Sequence, residues 1–386
     1  MTPQRFRRAS AIRPVDVVVA GGGIAGIEAV LALRDLGEER LRVHVVAAHP
    51  SFSLRPQLLG EPWGRPPLRL GLVELCTSFG ARFTPARIGR VDTAARRLWT
   101  TAGAEIPYDR LLLAPGGRLT LPYPLTRVLG FGSLPRTLAQ AETGSVEIVV
   151  PPRTSWTLPA YELALLTAGE HPGRSVRVVT DERTPLDAFG PGAEAEIRAF
   201  LARHGVTADC GRPVGLGTDP SDLADTVVAL PLVQGPGLHG VATDPRGFVQ
   251  AGSDMAVPGA DDVWAAGDAV AGTVKQGGIA AQQADVAAAA IVRSAGGPAP
   301  RAATGPVLRG KLAAGGEELY LRRVLNDSHA GQASEQPLWM PPSIVCAWRL
   351  ARWLTHEGGG SPASLEHVGG PVPGAVPAPG PGAVPV

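Results

Sequence analysis

The chain has 386 residues, enough for two or three domains of ordinary size and a large buried core. Apolar residues make up 44% and charged residues 18%, which excludes a wholly disordered chain, and a net charge of +1 offers no global field to recruit nucleic acid. Glycine (49) and proline (38) are in marked excess. The three cysteines, Cys76, Cys210 and Cys346, are too far apart for a CxxC pair, a zinc cluster or a disulfide framework. No apolar run reaches the ~18 residues of a transmembrane helix. The N-terminal arm carries arginines with no apolar segment behind them, unlike a secretory signal, so a cytoplasmic location is expected.

In chain order, Val15 to Ala20 is a continuous apolar run of strand length, as in a parallel strand buried on both faces. Three glycines follow. A helical pattern runs from Ile24 to Leu36 and stops at Gly37, and a second buried strand spans Leu41 to Ala47. A Pro-rich loop leads to short strands over Arg82 to Val91 and Arg96 to Thr101, then to a buried strand, Tyr108 to Ala114. The β-α-β theme returns about 130 residues later: strand Val146–Val150, helix Leu158–Ala168, strand Val176–Thr180, helix Ala193–His204. Strands over Thr226–Leu230 and Gly247–Ala251 bring the chain back to Val263–Ala269 and a long alanine-rich helix, Gly277–Ser294.

The expected architecture is α/β, with two Rossmann-like domains and a small C-terminal part. Residues 13–140 and 241–297 form a split FAD-type domain, with 141–240 as an inserted nucleotide-like domain. Residues 298–357 form a C-terminal region, and 358–386 a disordered Pro/Gly tail.

Gly21, Gly23 and Gly26 form GxGxxG between a strand and a helix. The first glycine permits the tight turn, the second admits a diphosphate to the backbone, and the third lets helix and strand pack closely. The helix N-terminus offers free N–H groups and the positive end of its dipole. The acid that usually follows the second strand is replaced by Ala47-Ala48-His49, so His49 or backbone groups take over ribose binding. In the second unit, VEIVV leads into PPRTSWTLPAYELALLTA. Three prolines and Trp156 stand where glycines would admit a second dinucleotide, so that site reads as dismantled.

GGGIAGIEA (21–29), YDRLLLAPGG (108–117) and VWAAGDAVAG (263–272) occur in the order found in two-dinucleotide-domain flavoproteins. Over roughly residues 13 to 300 the chain resembles the FAD-dependent pyridine nucleotide-disulfide oxidoreductase superfamily. Within it, the chain looks most like the branch of sulfide:quinone oxidoreductases and type II NADH dehydrogenases.

The resemblance implies an FAD-dependent oxidoreductase. FAD would be held by Gly21, Gly22, Gly23, Ile24, Ala25 and Gly26. Glu28 would accept from the loop backbone, or else be an ordinary helix-surface carboxylate. His49, Arg55, Ala114, Pro115, Gly116, Gly267, Asp268, Gln276 and Gly277 would complete the cofactor site. Lys275, Trp156 and Glu162 would line the catalytic pocket, Lys275 as a cation beside the flavin or simply as a surface lysine.

The resemblance further implies a small electron donor and, as acceptor, a quinone. Gln282 and Gln283 resemble quinone-side glutamines; exposed helix glutamines would look the same. The cysteine spacing does not match a sulfide-oxidising pair, and the cysteines read as buried apolar residues. The C-terminal stretch WMPPSIVCAWRLARWLTHE has an apolar face (Ile344, Trp348, Leu350, Ala351, Leu354, Thr355). It suits either packing on the FAD domain or peripheral contact with the inner face of a membrane. A homodimer is also compatible. No metal site and no nucleic-acid partner are expected. Two other functional readings stay open: an NAD(P)H-dependent flavoprotein reductase, and a non-enzymatic flavin-binding or interaction protein.

Overall fold

The computed structural model describes residues 13–123, 138, 144–216, 223–272, 274–300, 305–326, 330–340, 342 and 347–356. Cys346, Ile344 and the 358–386 tail lie outside the described residues, as does the side chain of Thr355.

The first sheet is built from β1 (Val15–Ala20), β2 (Leu41–Ala47), β5 (Arg82–Pro85), β9 (Arg110–Leu113) and β16 (Val263–Ala265), in the order β16-β9-β1-β2-β5. Every pairing is parallel, with Val15 opposite Leu41 and Val263 opposite Leu111. Val17, Val19, Leu111 and Leu112 have no exposed surface, as strands covered on both faces require. Helices α1 (Ile24–Gly37) and α5 (Gly277–Ser294) pack side by side on this sheet through alanines, among them Ala29, Ala32, Ala284 and Ala288. Small side chains let the two backbones approach.

The second sheet holds β11 (Ser145–Val149), β12 (Ser175–Val179), β13 (Val206–Asp209) and β14 (Thr226–Ala229), all parallel, in the order β13-β12-β11-β14. Helices α3 (Leu158–Glu170) and α4 (Glu194–Arg203) belong to this unit. The doubly wound α/β architecture expected from the sequence is therefore present twice.

Three expected strands differ. The run 263–269 is a strand only over Val263–Ala265, beyond which Gly267, at φ +78°, turns the chain. The run 82–91 divides at Pro85 into β5 and β6 (Ile88–Asp92), which join separate sheets. Residues 247–251 make isolated bridges at Val249 instead of a strand. Gly247 has φ +78° and lies so close to Gly235 that a Cβ on the latter would meet the Gly247 carbonyl carbon at 1.9 Å. That backbone crossing bends the chain out of any ladder.

The region after residue 298 contains an antiparallel sheet, β17 (Val307–Ala314), β18 (Glu317–Val324) and β19 (Gln332–Ser334), with Gly315-Gly316 as a tight turn. Leu308, Leu312, Leu319 and Leu321 join the core of the second domain. The last described element, α6 (Trp348–His356), instead packs Leu350, Ala351 and Leu354 into the core of the first. The packing reading of the C-terminal helix thus holds for these residues, while Trp348 is 54% exposed and lies off the buried face.

Candidate cofactor and substrate cavity

A cavity of about 820 Å³ runs between the carboxyl ends of the two parallel sheets. This is where open α/β sheets place ligands, and the size is in the upper range for a cofactor pocket. Gly21, Gly22, Gly23, Ile24 and Ala25 line one end. Gly21 has φ +145°, and a Cβ there would lie 1.9 Å from the Ala114 carbonyl oxygen, so the turn crosses β9 with no room for a side chain. A Cβ on Gly23 would meet nothing within 4 Å, leaving the start of α1 open to the cavity. Gly26 does not line the cavity; it lets α1 sit on the Gly21 carbonyl, 2.1 Å from where a Cβ would be.

His49, Arg55, Ala114, Pro115 and Gly116 contribute further wall, followed by Gly267, Asp268, Gln276 and Gly277. Gly267 donates its N–H to Gln283 Oε1 at 2.8 Å, which fixes the Gly-Asp turn. Burial raises the Asp268 carboxyl above its ordinary value, against the pull of Arg55 and Lys275. Gln276 caps α5 by accepting from the Ile279 N–H at 2.8 Å, and its amide donates to the Arg309 carbonyl at 3.2 Å.

The second domain supplies the opposite wall: Thr154, Ser155, Trp156, Leu158, Pro159 and Glu162. Trp156 leans on Phe189 with ring centroids 5.9 Å apart. Glu162 is half-buried, and burial pushes its carboxyl up to about 8, against Lys311. Lys275 is buried and no surface lysine. Its ammonium donates to the Val270 carbonyl and lies 4.0 Å from the centre of the Phe248 ring. Burial lowers it to about 8, while Asp268 opposes the shift.

The expected site residues therefore converge on one cavity, with Gly26 and Glu28 set back from it. Glu28 is a correction. It accepts no bond from the glycine turn and is no surface carboxylate; it is fully buried and bonded to the start of α6. Gln282 and Gln283 do not line the cavity. Gln282 ties α5 to β17 through both directions of bonding with Val307, and Gln283 holds Gly267. Cys76 and Cys210 also lie off the cavity, and burial pushes both thiols up to about 11. Among the described residues, no cluster of three His, Cys, Asp or Glu side chains could hold a metal.

Sequence reasoning missed Arg309 and Lys311, which reach the cavity from β17, the latter paired with Glu318 at 2.7 Å. Their alternation around Gly310, ahead of the Gly315-Gly316 turn, was the available signal. It also missed Glu182, just past β12, where a dinucleotide domain carries its ribose-binding acid. Glu182 is buried and accepts from Thr157 Oγ1 at 2.8 Å, Tyr161 Oη at 2.8 Å and Thr180 Oγ1 at 3.2 Å. Three of its roughly four acceptor positions are used within the domain.

Two parallel-sheet dinucleotide folds, a bare glycine turn in the first and a shared cavity between them make a two-domain fold like that of the FAD-dependent pyridine nucleotide-disulfide oxidoreductases. Sulfide:quinone enzymes are among the proteins that the chain is similar to. The sequence is 28% identical over 179 residues to the sulfide-quinone reductase of Aquifex aeolicus (strain VF5). That match covers 42% of this chain and 40% of the relative's length.

The solved structure of the sulfide:quinone oxidoreductase from Aquifex aeolicus superposes with a TM-score of 0.71 at 18% identity, covering 89% of this chain and 92% of that one. A NAD-dependent persulfide reductase from A. fulgidus superposes with a TM-score of 0.60 at 16% identity, covering 81% and 64%. No protein-family model matches the chain. The resemblance carried by the three motifs thus holds in sequence over part of the chain and in fold over most of it.

Proposed function

We propose that the chain is an FAD-dependent oxidoreductase that passes electrons from a small donor to an acceptor of the quinone class. The observation that carries this reading is the asymmetry of the cavity. Its first-domain end is bare backbone at a helix N-terminus, fit for a diphosphate. Its second-domain end is filled by Trp156 and Pro159, with Glu182 committed to Thr157 and Tyr161. One dinucleotide fits; a second lacks both its glycine turn and its ribose acceptor.

FAD, when bound, supplies the two-electron chemistry at its ring system. The chain supplies the surroundings. The turn Gly21–Ala25 receives the diphosphate. Asp268, half-buried on the cavity wall, offers an acceptor for hydroxyls of the cofactor. Lys275 brings a cation into the low-dielectric interior, where it favours negative charge on a neighbouring group. Glu162, held protonated at neutral pH by burial, can give or take a proton at its carboxyl as the donor is oxidised.

Peripheral contact with a membrane fits a quinone acceptor; among the described residues no helix is long and apolar enough to cross one. The decisive experiment is anaerobic mixing of the purified yellow protein with NADH. The flavin absorbance is expected to persist for minutes. Bleaching within the mixing time would establish the NAD(P)H-dependent reductase instead, and a colourless protein that cannot be reconstituted with FAD would end the proposal.

A further inference from the structure

Glu28 lies two residues beyond Gly26 on α1, directly behind the cofactor turn, yet it faces away from the cavity. Its two carboxylate oxygens are both used. Oε1 accepts the Arg349 N–H at 2.7 Å and Oε2 the Leu350 N–H at 2.8 Å. These are first-turn donors of α6, which have no acceptor within their own helix. A side chain from a helix more than 300 residues away in sequence therefore does the work of an N-cap.

The Arg349 guanidinium spans the same seam. It donates to Asp35 of α1 at 2.8 Å and to Asp285 of α5. Leu350, Ala351 and Leu354 complete the junction by burying against the core that contains Ala25, Ala280 and Ala281. The residue that opens the helix, Ala347, accepts from the Ala351 N–H at 2.8 Å and lines the cavity.

We propose that Glu28 is a positioning residue: it fastens the C-terminal helix to the helix of the cofactor turn and holds the Ala347 wall of the cavity in place. Retention of the cofactor then depends on a carboxylate that does not line the cofactor's cavity. The link to cofactor retention rests on the FAD reading above; the fastening itself does not.

The clamp has a direction in pH. The groups facing Glu28 are the two N–H donors and guanidinium of Arg349 and Leu350 on α6, Asp285 on α5, and, through Arg349, Asp35 on α1. Burial pushes Glu28 up to about 7, with Asp285 adding to the shift and the α6 donors opposing it. Asp285 is itself raised to about 6. Once α6 is released, both carboxyls return toward ordinary values, so docking takes up protons. The helix is held more firmly at pH 6 than at pH 8.

Limited trypsin digestion of the holoprotein, with mass spectrometry of the cuts after Arg349 and Arg352, reads the fastening. Flavin fluorescence on dilution reads retention. Glu28→Ala strands two buried donors; it is expected to raise both rates by about tenfold or more, the equivalent of one pK unit. Glu28→Gln removes the ionisation but leaves one oxygen to accept and turns its NH2 to the second N–H, so cutting should rise by less than in Glu28→Ala and the difference between pH 6 and pH 8 should shrink.

If Glu28→Ala does not fold, Arg349→Gln, which removes only the guanidinium bridge, should still speed cutting after Arg352. Cutting at the wild-type rate in every folded variant would overturn the fastening. Faster cutting with unchanged flavin release would overturn the link to retention. If the wild-type protein holds no flavin, the FAD reading fails while the trypsin arm still decides the clamp.

Discussion

Each half of the molecule has kept a different part of the dinucleotide fingerprint. In the first, Gly21, Gly23 and Gly26 remain and the acid after the second strand has become Ala47-Ala48-His49. In the second, Glu182 remains and the glycines have become Pro151, Pro152 and Trp156. Glycines cannot be replaced where backbone must touch a ligand, whereas a ribose hydroxyl has many alternative partners. That difference in cost is why the glycines, and not the acid, mark the half proposed to hold the cofactor. It also yields a clean test at Gly23, which has open space around its Cβ position. Gly23→Val should fold normally, because a Cβ there meets no atom of the protein within 4 Å. Its branched side chain would project into the space meant for the diphosphate. The flavin Kd, read by fluorescence titration of the apoprotein, should rise by about tenfold, roughly 1.4 kcal/mol of lost binding, with thermal unfolding of the apoprotein unchanged. An unchanged Kd would mean the diphosphate lies elsewhere.

The loop 150–157 and the start of α3 are held by a compact polar network instead of by a bound nucleotide. Glu182 accepts from three hydroxyls in the interior, and the two on the helix side, from Thr157 and Tyr161, fix the segment that carries Trp156 and Glu162 into the cavity. Burial raises the Glu182 carboxyl to about 7, and the Tyr161 and Thr157 hydroxyls pull it back. Removing one donor with Tyr161→Phe should cost about 1–2 kcal/mol, and Glu182→Leu, which orphans all three hydroxyls, about 3 kcal/mol or more. Glu182→Gln should be close to neutral, since hydroxyls can donate to its oxygen or accept from its amide. Urea denaturation separates the three; equal losses for Gln and Leu would show that charge, not satisfaction, is what the network needs.

Elements with one strong periodicity, such as β1, α1, β2 and α5, were legible to within a residue or so of their ends. The 247–251 segment was not, because its geometry is imposed by Gly235, a long-range contact invisible to local pattern. Most of the cavity's wall was legible because glycine turns and Gly-Asp sequences are local signals. Glu28 was legible as important but misplaced, since its partners, the backbone amides of 349 and 350, carry no sequence mark.

Across the whole molecule, four carboxyls share the upward shift of Asp268: Glu28 and Glu182 are buried, Glu162 and Asp285 half-buried. Burial is the leading cause in each: Glu28 and Glu182 rise to about 7, Glu162 to about 8 and Asp285 to about 6. In the unfolded chain they would titrate at ordinary values near 4. Between those two limits the native protein holds protons that the unfolded chain has already released. Stability therefore falls as pH rises from about 5 toward 8, and it levels once all four are ionised in both states.

Three groups act oppositely toward the acid end. His44, pushed down to about 4 by burial and by Arg82, stays neutral in the fold where the unfolded chain is already protonated, so its contribution is lost between about pH 6.5 and 4. Asp16, bonded to Arg42 and Arg13, and Asp225, bonded to Ser145, are lowered, so their contribution is lost on acidification below the ordinary carboxyl range. At the alkaline end Lys275 gives up its proton near 8 in the fold and only at its ordinary, higher value when unfolded, so stability recovers partly above pH 8. The apoprotein should accordingly show its highest melting temperature near pH 5, a decline to about pH 8 and a shallow rise beyond. Scanning calorimetry across that range checks it. A maximum at pH 7–8 would mean that the four carboxyls are solvated in the native state. The Glu28 clamp and the protonated Glu162 would then lose the burial on which both rest. The same descent should be shallower in Glu28→Gln and in Glu182→Gln, each by its own share. Only a protein whose interior carries its acids uncharged gives that pair of results.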